Sequence, residues 1–270
     1  MRRETFATPG SLRLDLRLPS GEIEVETVDG DETLVELDAT RDTEEVREVI
    51  DSARIELRPG SAGDEVIVDV QRKRFRLFDL GRADIVLRVY APHGVDVELS
   101  TASADVRGRG RFGSLDAKTA SGDLAFGDVG GRARIGSASG DVTLDRVGGD
   151  ATVNTASGDV RVGRVEGDAV LRSASGDVTV EDAEGSVSVQ TASGDQRIDS
   201  VASGRVTMQS ASGDQHVGIR SGTRVYIDAK TMSGDTSSEL DVSDEPPSGD
   251  GPQVELRATA MSGDIRIVRA

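Results

Sequence analysis

Residues 139–192 read SGDVTLDRV, GGDATVNTA, SGDVRVGRV, EGDAVLRSA, SGDVTVEDA, EGSVSVQTA when cut into nonapeptides, and this stretch decides the fold. Counted from the Asp position, apolar residues fall at +1, +3 and +6. The +1/+3 alternation is the strand period of two, which sends those side chains to one face. The glycine before the Asp supplies a corner at positive φ. Each 18-residue period is therefore two short strands and two turns. A nine-residue unit cannot bury its own apolar face, whereas copies stacked in register can. The spacing predicts one interior column of Val142, Val160 and Val178 and a second of Leu144, Val162 and Val180. Ala151 and Ala169, with Val153 and Leu171, are expected to line the opposite sheet. A hexapeptide helix would need an apolar residue every six positions; stepping from Val142 gives Gly148 and Asn154, which excludes it.

The same phrase extends in both directions. Ser-Gly-Asp ends at Asp123, Asp141, Asp159, Asp177 and Asp195, with Ser103-Ala104-Asp105 one step earlier. Later copies end at Asp214, Asp235 and Asp264, so insertions accumulate, and Ser248-Gly249-Asp250 falls out of phase. The second corner carries Ser114, Arg132, Asp150, Asp168, Ser186 and Arg205, so a requirement for Asp is expected on one edge only. Residues 101–270 thus read as the repeat array. A loop insertion at 241–253 (DVSDEPPSGDGPQ) is expected to be a mobile surface segment that interrupts the last coil before VELRATAMSGDIRIV resumes it.

Residues 1–100 read as a less regular β-rich cap over an otherwise open strand edge. Leu12, Leu14, Leu16 and Leu18 alternate, as do Ile23 and Val25, Val66, Val68 and Val70, and Ile85, Leu87 and Val89. A short helix is expected near 43–52, with Thr43 as N-cap and Val46, Val49 and Ile50 on one side.

The lead-in VLRVYAPHGVDVELSTASADV (86–106) and the recurring T/S-A-S-G-D-V/L phrases resemble the bacterial putative-adhesin family of β-strand repeats, a domain of unknown function. The resemblance covers about residues 10–268. It implies an all-β, right-handed parallel β-solenoid (β-helix) and often a cell-envelope setting. It implies no catalytic residues.

Composition narrows the functional classes. Asp and Glu number 49 against 32 Lys and Arg, a formal charge of −17, and such a surface repels phosphate backbones and anionic lipid. No nucleic acid and no membrane insertion are expected. No cysteine is present, which removes disulfides, thiolate chemistry and Cys-based metal sites and fits a reducing compartment. The opening MRRETFATPGSLRLDLRLPSGE has no apolar run behind its arginines and does not read as a signal peptide, so the cytoplasm is the expected location. The two histidines, His93 in a turn and His216 at an outward position, read as surface residues without a partner. Walker A, Rossmann, HExxH and GxSxG motifs are absent. Tyr90, Tyr226 and Phe126 are too scattered to stack a sugar chain.

Two constellations remain. Asp123, Asp141, Asp159, Asp177 and Asp195 form a column of carboxylates whose neighbours repel by about 1 kcal/mol in water-like screening. Either each caps N–H groups of its own turn, or the column holds a ladder of Ca²⁺ ions. Gln196 and Gln215 replace valine at +1 in adjacent coils and are expected to pair as a two-rung amide ladder. The sequence thus points to a non-enzymatic structural or interaction protein without cofactor, with a protein partner or a second copy of itself joined head to tail. A cation- or glycan-binding module along the Asp-lined edge and a polysaccharide-acting enzyme are the alternatives.

Overall fold

The computed structural model describes residues 1–40, 43–60, 63–70, 85–240 and 252–270, which fall into two compact units, Met1–Gly140 and Asp141–Ala270. Both are all-β except for one helix among the described residues.

In Asp141–Ala270 the parallel strands Val142–Val147, Val160–Val165, Val178–Ala183, Gln196–Val201 and Gln215–Ile219 form one sheet. Ala151–Ser157, Ala169–Ser175, Val187–Ser193 and Gly204–Ser212 form the other. Val142 lies opposite Val160 and Val160 opposite Val178; Leu144, Val162 and Val180 make the next column. All six are buried, as are Ala151, Val153, Ala169 and Leu171 on the facing sheet. Each such Val or Leu contributes about 1.5–3 kcal/mol relative to exposure, and only the stack supplies the neighbours that make this possible.

The two halves of a period differ in phase. The ladder skips Asp145 between Leu144 and Arg146, which turns Val147 inward at +6. The second strand keeps strict alternation further, so Thr155 at +5 is buried and Ala156 at +6 faces solvent. The +6 apolar position therefore belongs to the first half alone. In the second half a hydroxyl takes the interior place.

The order of coils also departs from chain order. Gln253–Ser262 pairs with Gly204–Ser212 on one side and Arg224–Ser233 on the other, and Ile265–Arg269 lies between Gln215–Ile219 and Thr236–Ser238. The later segment thus inserts between two coils instead of resuming the last one. The physical reason is compositional. Val254, Leu256, Ala258, Ala260, Ile265 and Ile267 suit a position covered on both sides. After Asp235 the strand reads Thr-Ser-Ser, which tolerates the wet end of a stack. The expected mobile loop falls mostly on 241–251, outside the described residues.

Met1–Gly140 uses the same device. Leu12–Arg17 is flanked in parallel by Asp64–Asp69 and Val95–Ser100, and Glu22–Val28 by Ile85–Pro92 and the start of Asp105–Thr119. Beyond them the pairing turns antiparallel: Glu32–Ala39 on Ile85–Pro92, Arg2–Ala7 on Glu32–Ala39, and Arg54–Arg58 on Asp64–Asp69. Helix α1 (Glu44–Ser52) begins at Thr43, whose hydroxyl accepts the Val46 N–H at 3.3 Å. Val46 and Ile50 are buried and Val49 is half-buried. Phe126 packs edge-on to Phe112 with ring centroids 5.4 Å apart. It lies opposite Gly108, where a Cβ would sit 2.5 Å from Phe126 Cε1.

Candidate functional site

Ser-Gly-Asp corners are held by an Asp side chain that reaches a backbone N–H one coil away. Asp141 Oδ1 accepts the Asp159 N–H at 2.9 Å, Asp159 Oδ1 that of Asp177 at 2.8 Å, and Asp177 Oδ1 that of Asp195 at 2.8 Å. Asp195 continues to Asp214, Asp214 to Asp264 and Asp264 to Asp235, each at 2.8 Å. In the other unit Asp105 Oδ1 accepts the Asp123 N–H at 3.1 Å. Capping is therefore directed to the neighbouring coil, not to the residue's own turn. The backbone runs the other way: the Val160 N–H reaches the Asp177 carbonyl and the Val178 N–H the Asp195 carbonyl, both at 2.9 Å. The glycine is needed because at Gly176 φ is +125° and a Cβ would lie 2.7 Å from the Gly158 carbonyl carbon.

The requirement extends to the second edge. Asp150 Oδ1 accepts the Asp168 N–H at 2.9 Å, Asp168 Oδ1 the Ser186 N–H at 2.9 Å, and Ser186 Oγ the Arg205 N–H at 3.3 Å. Asp96 does the same for Ser114 at 2.7 Å. The expectation of a one-sided Asp requirement missed this, because serine performs the same bond and masks the pattern. Among the described residues no group of three or more His, Asp or Glu side chains is arranged to hold a metal ion.

The inward hydroxyls form a second column that periodicity had assigned to its alanine neighbours. Thr155 Oγ1 donates to the Ser157 carbonyl at 2.9 Å and Ser173 Oγ to the Ser175 carbonyl at 3.0 Å. The sequence signal was the Thr or Ser four residues before Asp123, Asp141, Asp159, Asp177, Asp195, Asp214 and Asp235, with Ala260 taking that place before Asp264.

Gln196 and Gln215 are opposite one another and buried, yet they form no amide ladder. Gln196 Nε2 donates to Thr191 Oγ1 at 2.8 Å and to the Gln209 carbonyl at 2.6 Å; Gln215 Nε2 donates to the Thr259 carbonyl at 3.1 Å. Both Oε1 atoms are buried without a hydrogen-bond partner. Backbone carbonyls on the facing strand outcompete the neighbouring amide because they fix the nitrogen's direction.

His93 does have partners: Nδ1 lies 2.8 Å from Thr27 Oγ1 and Nε2 3.4 Å from Asp29. His216 is half-buried at an outward position, and burial, reinforced by the nearby Arg197, holds its pKa below the ordinary value. Phe126 is core, so the aromatic side chains form no platform. The outer face of the first sheet carries a branched ion-pair network. Arg164 reaches Asp182 and Glu184 at 2.9 and 2.8 Å, and Arg220 reaches the same two at 2.5 and 3.1 Å. Its two acceptors together hold the Arg220 guanidinium above its usual pKa.

The family model Toastrack DUF4097 matches residues 10–268. The chain belongs to the Toastrack DUF4097 family. No curated protein matches it. Solved structures similar to this Toastrack chain include a putative adhesin from Bacteroides fragilis, with 11% identity, TM-score 0.46, and coverage of 98% of this chain and 96% of the other. A putative adhesin from Parabacteroides merdae shares 10% identity at TM-score 0.48, covering 98% and 94%. A putative lipid binding protein from Parabacteroides distasonis shares 11% identity at TM-score 0.42, covering 99% and 96%. No helix among the described residues is long and apolar enough to cross a membrane.

Proposed function

We propose that this Toastrack chain is a non-enzymatic interaction protein whose outer sheet faces are its working surface. The observation that carries the reading is the commitment of the corner carboxylates to backbone N–H groups of the next coil, which makes the Asp column a fastening of the fold. The side chains left to meet a partner are those on the outer faces, such as the mixed-charge ladder of Arg164, Asp182, Glu184 and Arg220. Complementary charge on a partner would set orientation and association rate more than affinity. We read the stack as right-handed, with two-strand coils and residues 1–100 as its cap; the Val142–Val160–Val178 register supports the 18-residue coil.

The test is capture from the native host with wild-type bait and with the Arg164→Glu/Arg220→Glu variant. A partner held by the first and lost by the second supports the reading. Reproducible turnover in a glycan-cleavage screen overturns it. Thermal stabilisation by Ca²⁺ at ligand-like concentrations would transfer the Asp edge to the cation-binding alternative.

A further inference from the structure

The strand Arg224–Ser233 is the outer edge of its sheet, and its chemistry identifies what covers it. Among the described residues its ladder is with Gln253–Ser262 alone. Val225, Ile227 and Ala229 point inward but are only half-buried, whereas Val254, Leu256 and Ala258 opposite them are fully buried. On the outward side Tyr226 is 59% and Met232 84% exposed, two of the four exposed large apolar side chains among the described residues, with Met1 and Met261. Asp228 and Lys230 lie between them, 2.7 Å apart, with Arg257 3.7 Å from Asp228.

We propose that two copies of this chain pair tail to tail, Arg224–Ser233 of one running antiparallel to the same strand of the other about a two-fold axis at Ala229. The proposal gives the interaction reading above a defined partner, a second copy.

Three observations carry it. First, the axis at Ala229 places Asp228 opposite Lys230 and Tyr226 opposite Met232, and the symmetry makes each pair twice. Neighbouring registers fail: an axis at Asp228 or at Lys230 sets like charges face to face, and one at Ile227 sets Arg224 against Lys230. Second, backbone parity agrees. Arg224 donates its N–H to the Pro252 carbonyl, on the Gln253–Ser262 side, at 3.1 Å. Alternate residues point their amides to the same edge, so Val225, Ile227 and Ala229 turn theirs outward. Ala229 would then meet its copy as a hydrogen-bonded pair. The Asp228–Lys230 and Tyr226–Met232 pairs would occupy the non-bonded positions, where facing side chains approach closest. Third, the inward side chains of a copy would add to the burial of Val225, Ile227 and Ala229, which is partial in the single chain.

The experiment is sedimentation equilibrium on the full chain from about 1 to about 300 µM, a range that brackets edge-strand affinities. The expected result is a limiting mass of twice 28.4 kDa. Asp228→Lys or Lys230→Asp alone should weaken dimerisation at least about tenfold, and the double exchange should restore it to within about threefold. Both residues are on the outer face, so unchanged thermal melts confirm folding of the variants. A wild-type chain that stays monomeric, a mass that grows past two copies as in head-to-tail joining, or a dimer indifferent to the single exchanges overturns the proposal. None of these results touches partner capture through Arg164 and Arg220, which is read separately.

Discussion

Replacing Asp177 by Asn and by Ala separates the two opposing energies in the corner column. Asp177 Oδ1 accepts the Asp195 N–H at 2.8 Å, and the Asp177 N–H reaches Asp159 Oδ1 at the same distance. A hydrogen bond to a charged acceptor contributes about 1.5–3 kcal/mol and a neutral one about 1 kcal/mol. Against this, carboxylates one coil apart (about 4.8 Å) repel by about 1 kcal/mol per neighbour in water-like screening. Asn keeps the acceptor and removes the repulsion from two neighbours, so the two changes nearly cancel. It should fall within about 1 kcal/mol of wild type. Ala also removes the repulsion but loses the bond, and should lie about 1 kcal/mol below Asn. Salt supplies the sign test. At 1 M the Debye length is about 3 Å, so the repulsion is screened while the bond persists, and Asp should gain on Asn. Urea denaturation of the three proteins in EDTA, at low salt and at 1 M, measures all of this. Equal stability of Ala and Asn, or an Asp–Asn gap indifferent to salt, would refute the fastening account.

Other perturbations probe the interior. Gly108→Val should destabilise by about 1–3 kcal/mol because the Phe126 ring fills that space; Phe126→Val in the same chain should recover most of the loss, a coupling that urea melts of the double-mutant cycle would show. Gln196→Val with Gln215→Val removes two buried oxygens that lack partners, each costing about 1–3 kcal/mol, so thermal denaturation should show the pair neutral or stabilising. A large loss there would reveal a partner for those oxygens. His216 has a folded pKa below 6.5, the ordinary value, so its contribution to stability is complete above that pH and is lost as pH falls toward the folded pKa. An NMR titration placing it above 6.5 would contradict the burial argument, and His216→Gln should flatten the stability profile on the acid side of that value.

The columns of Val142, Val160 and Val178 were legible because a period of two within a period of 18 leaves a single packing solution. The hydroxyl column was not, since periodicity weights apolar residues and Ala156 is more apolar than Thr155; a skipped ladder position at Asp145 decides the phase, and no residue there announces it. The Asp column was found, but its partner was misjudged: sequence shows which residues share a turn and says less about which turn lies above. The Gln pair was placed in the correct register with the wrong bond. Amide direction depends on facing backbone, which no local pattern encodes. The inserted strands have a signal in hindsight, the contrast of Thr236-Ser237-Ser238 with Ile265-Arg266-Ile267 after their respective Asp corners.

That insertion has an energetic consequence. In a stack where each coil contacts only its neighbours, deleting an end coil removes one interface, and deleting an internal coil removes two. Residues 252–270 come last in the sequence but lie internally, between Gly204–Ile219 and Arg224–Ser238. A chain ending at residue 240 should therefore lose amide protection in Arg224–Ser233 as well as at the newly bared Gly204–Ser212 edge. Its strand Arg224–Ser233 could in principle drop one level and pair with Gly204–Ser212. Composition opposes this: Thr236 and Ser238 would then stand over Gln215 and Val217, where Ile265 and Ile267 close the core. Hydrogen exchange on the truncated chain decides between the two. If protection of Arg224–Ser233 survives, the strand has re-docked, and the claim that sequence composition assigns each coil its level in the stack is wrong.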